Sequence, residues 1–284
     1  MKRVLFALCL FTSASGIAQQ KINFQKGQKL EVVTTTSSTG TSQMMGQSFE
    51  QKANVTVVQS FDVEDVRNGS AVIEHKMKHM KFNMESQMGQ NISFDSDKAD
   101  DLKSEFGQGL SKGLKNKYTV TVDGTGKITE IKEGEGNVAL AEDDMATMIL
   151  SQMNVNGGAP KVGDMLLFSV LPAATVKKGE TWTDSSTKEG IKSMATYTVS
   201  NITDSEITVD FTATSTMETT QNMMGADAII KGATKSSGQM IVDKKSGLLK
   251  QRSQTVDSEQ QVEVSGMTIP STSKATVTTI VKGL

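Results

Sequence analysis

Several residue types that crosslink, stiffen or anchor a protein are scarce in this sequence. Its 284 residues include one cysteine, three prolines, one tryptophan and two tyrosines. The cysteine, Cys9, lies in a short apolar segment near the N-terminus. The rest of the chain has no thiol, which excludes a disulfide, a thiolate nucleophile and a thiolate metal site there. Its stability must therefore come from a packed core.

Positively and negatively charged residues are nearly equal in number. Thirty lysines and arginines stand against 32 aspartates and glutamates. A nucleic-acid-binding protein normally carries a strong basic excess, so we predict no nucleic-acid partner. Hydrophobic residues make up 36% of the chain, and with the 24 glycines this is close to the usual share of a globular protein. A disordered chain is therefore excluded.

The N-terminal segment has the pattern of a secretory signal peptide. Lys2 and Arg3 precede a short apolar run at 4–11, and small residues follow up to Ala18. This order predicts cleavage after Ala18, with residues 1–18 removed and the remainder exported to the periplasm or cell surface. No later stretch is apolar for long enough to span a membrane as a helix, so we predict no transmembrane segment after cleavage.

Much of the remaining chain alternates apolar and polar residues, as strands with one buried face do. Val55, Val57, Phe61 and Val63 alternate with polar side chains, and the polar stretch at Asn68 then predicts a turn. The same alternation recurs at 118–122, 197–199 and 207–213. An antiparallel sheet with one dry and one wet face accounts for this pattern.

Three stretches predict helices instead. Residues 97–117 and 139–153 repeat apolar residues every three or four positions, and 222–231 is a third, shorter candidate. Together with the strands, they predict a mainly β protein of the α+β class. Its expected architecture is a curved antiparallel sheet with two or three amphipathic helices packed on one face.

The chain also repeats itself weakly. Three landmarks of the first part recur in order in the second: 26–30 in 178–182, 68–69 in 203–205, and 122–128 in 242–248. We therefore expect a single β-rich domain at 19–284 that contains two related halves, 19–170 and 171–284. The pattern leaves open whether the halves share one sheet.

Two glycine-containing motifs resemble functional signatures in the wrong context. Residues 109–113 spell G-x-S-x-G, but a nucleophile elbow needs a preceding strand, and here a helix is predicted. A serine hydrolase using Ser111 with a histidine is thus a minor alternative. Residues 134–139 loosely resemble a dinucleotide fingerprint, yet acidic neighbours such as Glu142 would repel a pyrophosphate. We predict no cofactor, no catalytic residues and no enzymatic activity.

Both histidines lie among methionines at 73–84. Imidazole and thioether groups bind copper, so His75, Met77 and His79 are candidate metal ligands. In a strand, His75 and His79 would lie about 13 Å apart, too far to share one ion without a ligand from another strand. The structural alternative is a strand whose buried face changes phase at a β-bulge near Lys78.

An acidic cluster follows this segment. Asp95, Asp97, Asp100 and Asp101 lack the glycine and glutamate positions of an EF-hand loop. A solvated helix N-terminus explains these carboxylates, because the helix dipole favours negative charge there. A calcium contact is the alternative.

Methionine is unusually frequent, with 17 residues, whereas aromatics are only 5% of the chain. Methionine side chains are flexible and polarizable, so they can repack around varied apolar ligands. We predict an apolar ligand-binding face on the sheet and the 139–153 helix, formed by Met77, Met80, Phe82, Met84, Met145, Met148 and Ile149. Ordinary filling of the core is the alternative.

An ordered set of short motifs carries a family resemblance. Leu171-Pro172, V-K-K-G-E-T-W at 176–182, V-D-K-K-S-G at 242–247 and M-T-I-P at 267–270 resemble an uncharacterised secreted family of Bacteroidota, classed as a domain of unknown function. The resemblance implies export and a methionine- and threonine-rich antiparallel β protein, without known catalytic residues. The chain is also loosely similar to periplasmic lipoprotein carriers, in which a curved sheet wraps an apolar cavity plugged by helices.

Two functions remain open at this point. The first is a non-catalytic binding or carrier protein of the cell envelope, which holds a lipid, an acyl chain or a partner's apolar segment. The second is a structural or interaction protein of the envelope with no small ligand. A His/Met metal-binding protein and a serine hydrolase are lesser alternatives.

Overall fold

A computed structural model describes residues 22–44, 46–87, 91–134, 137, 160–172, 176–188, 190–223, 226–264 and 266–284. The predicted signal peptide and the predicted helix at 139–153 lie outside these residues. Within them, no helix is both long and apolar enough to cross a membrane.

The described residues form twelve strands and two short helices. In chain order they are β1 (Lys29–Met44), β2 (Gln47–Arg67), β3 (Ser70–Ser86), β4 (Ile92–Asp95), α1 (Ala99–Lys103), α2 (Glu105–Leu114), β5 (Lys117–Val122), β6 (Ile128–Glu133), β7 (Thr181–Lys188), β8 (Ile191–Ile202), β9 (Glu206–Met223), β10 (Ala226–Asp243), β11 (Leu249–Val264) and β12 (Met267–Gly283).

All twelve strands belong to one open antiparallel sheet, which confirms the mainly β prediction. Its order is β6-β5-β3-β2-β1-β12-β11-β10-β9-β8-β7, and the short β4 also pairs with β3. The C-terminal strand β12 pairs with both β1 and β11, so it joins the first and last parts of the chain. The question that the repeat left open is thereby answered, because the two parts share one sheet.

The predicted turns form where expected. Asn68 and Gly69 both have positive φ, 51° and 79°, which is the conformation of a two-residue type I′ hairpin turn.

The repeated landmarks of the two parts of the chain also resemble each other. The N–H of Gly27 donates to the Val63 carbonyl, and the N–H of Gly179 donates to the Val199 carbonyl, both at 2.8 Å. The division into halves at 170 and 171 stays a prediction.

Two helix predictions need correction. The stretch 97–117 holds two helices rather than one, because Ser104 adopts extended dihedral angles and its Oγ accepts from the N–H of Gly107, capping α2. The stretch 222–231 is not helical. It contains the end of β9 and the start of β10, where Ala228 and Ile230 are buried while Ile229 is exposed. This period of two is a strand pattern.

One face of the sheet, here called the inner face, carries the core. Directly opposed residues in an antiparallel sheet share a face. A continuous series of such pairs, the cross-sheet row, crosses ten strands: Trp182, Tyr197, Phe211, Gly238, Gln254, Val277, Thr36, Val55, Phe82 and Phe94. The three buried apolar clusters lie on this same face.

Candidate ligand groove

A groove of about 860 Å³ lies on the inner face. Its walls come from β1, β2, β11 and β12, with contributions from β3, β5, β6 and the segment 160–167. Because residues of β5 and β11, five strands apart in the sheet, line the same cavity, the sheet must bend around it. The volume falls in the range of about 300 to 1,000 Å³ that is usual for small-molecule sites.

One end of the groove has an apolar floor. It is formed by Val32, Val57, Phe61, Val120, Ile128 and Leu166. All six side chains are buried and belong to two of the apolar clusters. Phe61 packs edge-on against Phe168, with ring centroids 5.0 Å apart, so the segment after residue 160 closes this end. This end of the groove is therefore apolar.

The rest of the groove wall is lined mainly by small hydroxyl side chains. They include Thr34, Thr36 and Ser38 of β1, Ser258 of β11, and Ser273 and Thr279 of β12. Thr34 Oγ1 and Thr279 Oγ1 are 3.1 Å apart and share a hydrogen bond across the strands. Because such pairing satisfies part of the hydroxyl capacity, the wall can present both methyl groups and hydrogen-bonding groups to a ligand.

Arg252 is a half-buried cation in this wall. Its Cζ lies 4.7 Å from the centroid of the Phe211 ring, and its Nε donates to Gln254 Oε1 at 3.0 Å. Burial lowers the pKa of the Arg252 guanidinium, while the nearby Tyr197 phenol opposes this shift. Arginine stays protonated at neutral pH despite such shifts. In the described part of the chain, no carboxylate pairs with it.

His75 borders the groove as a neutral aromatic side chain. Its ring stacks on Phe61 at 4.6 Å between centroids and faces Tyr118 at 6.5 Å. Among the described residues, its Nε2 has no hydrogen-bond partner. Burial lowers the pKa of His75 to about 4. The imidazole is therefore uncharged at neutral pH and contributes to the apolar end of the groove.

The predicted methionine face lies beside the groove, under α2. Met80, Phe82 and Met84 are buried there, and Met77 is partly buried at the edge of the same cluster. Phe106 of α2 stacks on Phe82 with centroids 5.4 Å apart. The structure thus brings these four residues together, but in contact with a helix. Their role in ligand binding stays a prediction, and Met145, Met148 and Ile149 lie outside the described residues.

The three candidate metal ligands have different surroundings. His75 stacks on Phe61, and Met77 packs in the cluster under α2. The His79 side chain faces the acidic cluster. The pairing of β2 with β3 skips Lys78, which confirms the predicted β-bulge. The bulge explains why the buried residues change from odd positions, such as 73, to even positions from 80 onwards.

His79 instead meets two members of the acidic cluster. Its Nε2 lies 3.0 Å from Asp95 Oδ1 and 3.6 Å from Asp97 Oδ2. Within the described residues, this is the group of three side chains that could hold a metal ion. Asp95 already accepts hydrogen bonds from His79 and from the Asp97 N–H, which lower its pKa. The group is therefore satisfied as a polar link between β3 and β4.

Ser111 lies within α2, and its hydroxyl donates to the Gln108 carbonyl at 3.1 Å. Because α1 directly precedes α2, the strand that a nucleophile elbow requires is missing at this position. His79 is engaged by Asp95 and His75 by Phe61. The geometry does not assemble the Ser–His pair that the motif suggested.

Sequence reasoning missed Arg252 and the hydroxyl wall. The available signal was the alternation in β11, where Arg252 shares its face with Gln254, Val256 and Ser258. An arginine at an inward position of an alternating strand is unusual, because charged side chains are rarely buried without a partner. Ser and Thr on that face were less informative, since they also occur on the wet face.

Comparisons with solved structures give low similarity. A lipovitellin structure, titled for its lipid–protein interactions, matches with a TM-score of 0.48 and 12% identity; the match covers 92% of this chain and 25% of that one. This chain thus spans about a quarter of the lipovitellin chain. An outer membrane channel from Pseudomonas putida F1 matches with a TM-score of 0.30 and 8% identity, covering 94% of this chain and 98% of the channel.

Comparison of the sequence with known families gives a clearer result than comparison of the structures. No curated protein matches the chain significantly. The profile of a family of unknown function, DUF6263, matches residues 68–249, which is more than half of the chain. The matched region runs from the β2–β3 turn to the start of β11, so it includes the helices and much of both parts of the sheet. The chain therefore belongs to the DUF6263 family.

Proposed function

We propose that this protein is a non-catalytic, exported binding or carrier protein of the cell envelope whose groove holds a lipid-like ligand. One observation carries the proposal, namely a groove of about 860 Å³ on the inner face, with an apolar floor at one end and a hydroxyl-lined wall beyond it. Such a division suits an amphiphile, which has an apolar chain and a polar end. Export rests on the pattern of residues 1–18.

The energetic basis is the apolar floor. Each methylene group that leaves water for an apolar site contributes about 0.8 kcal/mol. From β11 to β5 the sheet has five strand spacings, about 24 Å along its curve, which gives a long acyl chain room to lie across the strands.

Blocking the groove tests the proposal. Ala275 belongs to the groove wall and its side chain faces the groove, whereas its neighbour Thr276 is exposed on the opposite face. Ala275→Phe should narrow the groove, and Thr276→Phe is the matched control. Protein produced from the full-length sequence is purified from the envelope, and its organic extract is analysed by mass spectrometry.

We expect a co-purifying lipid in the wild type and the control, and at least a tenfold lower molar ratio in Ala275→Phe. A wild-type protein that carries no lipid and binds no added fatty acid would refute the proposal. In that case the structural or interaction role is favoured, and its partner would be sought by pull-down from envelope fractions.

A further inference from the structure

Resting on the proposed function, we propose that Arg252 binds the anionic head group, a carboxylate or a phosphate, of the ligand held in the groove. The ligand class is then an anionic amphiphile. Its charged end lies at the guanidinium, and its apolar chain lies on the floor formed around Val32 and Phe61.

Arg252 lies at the boundary between two parts of the inner face. It pairs with Thr279, which pairs with Thr34, and these residues form the first polar row of the wall. Two residues along β1 and β12, the next row on the same face is Val32 and Val281, both apolar. Arg252 therefore stands where the apolar floor meets the hydroxyl wall, as the head group of an amphiphile requires.

Neighbouring side chains hold the Arg252 guanidinium in place. Gly238 of β10 sits between Gln254 and Phe211 in the cross-sheet row, and the Arg252 guanidinium extends from β11 over β10 to the Phe211 ring. A Cβ at Gly238 would collide with the carbonyl oxygen of Ser253, so β10 and β11 approach each other closely here. Gln254 occupies Nε. Among the described residues no hydrogen bond engages the two terminal amino groups of Arg252, which can form a fork for a planar or tetrahedral anion.

The charge of the groove also favours an anionic ligand. A partly buried cation without a counter-ion costs free energy, which an anionic ligand would recover. Arg67, by contrast, pairs with Asp65 away from the groove. The charged residues lining the groove in the described structure are Lys161, Asp164 and Arg252, so its net charge is positive while His75 is neutral. Lys161 and Asp164 have polar partners of their own.

Paired probes separate the head group from the chain. Parinaric acid, a fluorescent fatty acid, and its methyl ester share one apolar chain and differ in the head group, which is an anionic carboxylate in the acid and an uncharged ester in the other. Binding of each is titrated with the wild type, with Arg252→Gln, and with Arg67→Gln as a control of the same residue type. Displacement of bound parinaric acid by palmitate and by lysophosphatidate compares a carboxylate with a phosphate head group.

We expect wild type and Arg67→Gln to bind the acid at least tenfold more tightly than the ester. Arg252→Gln should weaken the acid roughly tenfold to a hundredfold, as the loss of a charge-assisted hydrogen bond implies, and leave the ester unchanged. Unchanged ester binding also shows that the variant is folded. Stronger displacement by lysophosphatidate than by palmitate identifies phosphate as the preferred head group.

Two results would overturn this assignment while the groove proposal stands. One is equal affinity of the wild type for acid and ester. The other is a loss in Arg252→Gln that is the same for both probes, which would make Arg252 a structural residue. If neither probe binds the wild type, the proposed function itself fails together with the assignment.

Discussion

The ends and the middle of the cross-sheet row are built from different residues. At one end lie Phe82 and Phe94, both fully buried, and at the other lie Trp182 and Tyr197, whose rings stack 5.2 Å apart. The middle of the row, from β10 to β1, consists of Gly238, Gln254, Val277 and Thr36. One face of one sheet thus changes from aromatic to small and polar and back to aromatic.

Coverage explains this difference. At the β2–β3–β4 end, α2 packs on the sheet through Phe106 and Leu110, so large apolar side chains are removed from water. The strands β1, β12 and β11 instead line the groove. An uncovered face cannot keep large apolar residues without becoming an adhesive patch. The comparison teaches that the small polar residues mark the part of the sheet that α2 leaves uncovered.

The largest expected effect comes from the covered end. Phe82→Ala leaves a cavity between β3 and α2 and should lower the free energy of unfolding by about 3 to 5 kcal/mol. Val256→Ala, on the groove wall and only half-buried, should cost about 1 kcal/mol or less. Urea denaturation of both variants at pH 7 measures the difference. Equal losses would contradict the difference in packing between the covered end under α2 and the groove wall.

A smaller, pH-dependent effect is expected at His75, at the boundary of the two regions. Its folded pKa of about 4 lies below the unfolded value of 6.5, so acid favours the unfolded state, which takes up the proton first. The stability contribution is complete above pH 6.5 and is lost as the pH falls towards 4. When the pH falls from 7 to 4.5, protonation of His75 in the unfolded state should lower the free energy of unfolding by about 2.5 kcal/mol.

The variant His75→Phe isolates this contribution, because phenylalanine keeps an aromatic ring against Phe61 but does not titrate. Urea denaturation of wild type and variant from pH 7 to pH 4.5 should show a smaller loss in the variant. Carboxylates titrate in both proteins and cancel in the difference. Parallel curves would mean that His75 is as protonatable in the folded chain as in the unfolded chain.

The smallest effect is expected in the middle of the sheet. The hydroxyl pair of Thr34 and Thr279 should have a coupling energy of only about 0.2 to 1 kcal/mol, typical of a cross-strand pair. A double-mutant cycle with Thr34→Val and Thr279→Val, followed by urea denaturation, measures it. A coupling well above this range would make the hydroxyl wall a stabilising element in its own right and weaken its assignment to ligand binding.

Local features of the fold could be predicted because they depend on neighbouring residues. The alternation around Val57 predicted β2, Asn68 predicted the hairpin turn, and the change of phase predicted the bulge at Lys78. The errors came from similar local signals with two meanings. Ala226 to Lys231 could form a helix or a strand, and pairing with β9 and β11 decided for the strand. Ser104 ended one helix and capped the next.

The candidate site was less predictable, because it depends on contacts between distant residues. The sequence identified the methionines of β3 as a face, but the structure places α2 on them. It identified His79 and Asp95 separately, without their contact. Arg252 gave no signal beyond its place in an alternating strand.

By itself, then, the sequence determined which residues face inwards in strands with clear alternation, such as β2, because the side chains of a strand alternate with a period of two. Only the tertiary structure decided what they face. The pairing of β1 with β12 joins Thr34 to Thr279 across more than 200 residues, and the order of the strands brings Arg252 of β11 over the Phe211 ring of β9. Such register results from the closing of long loops around a shared core, which no local pattern encodes.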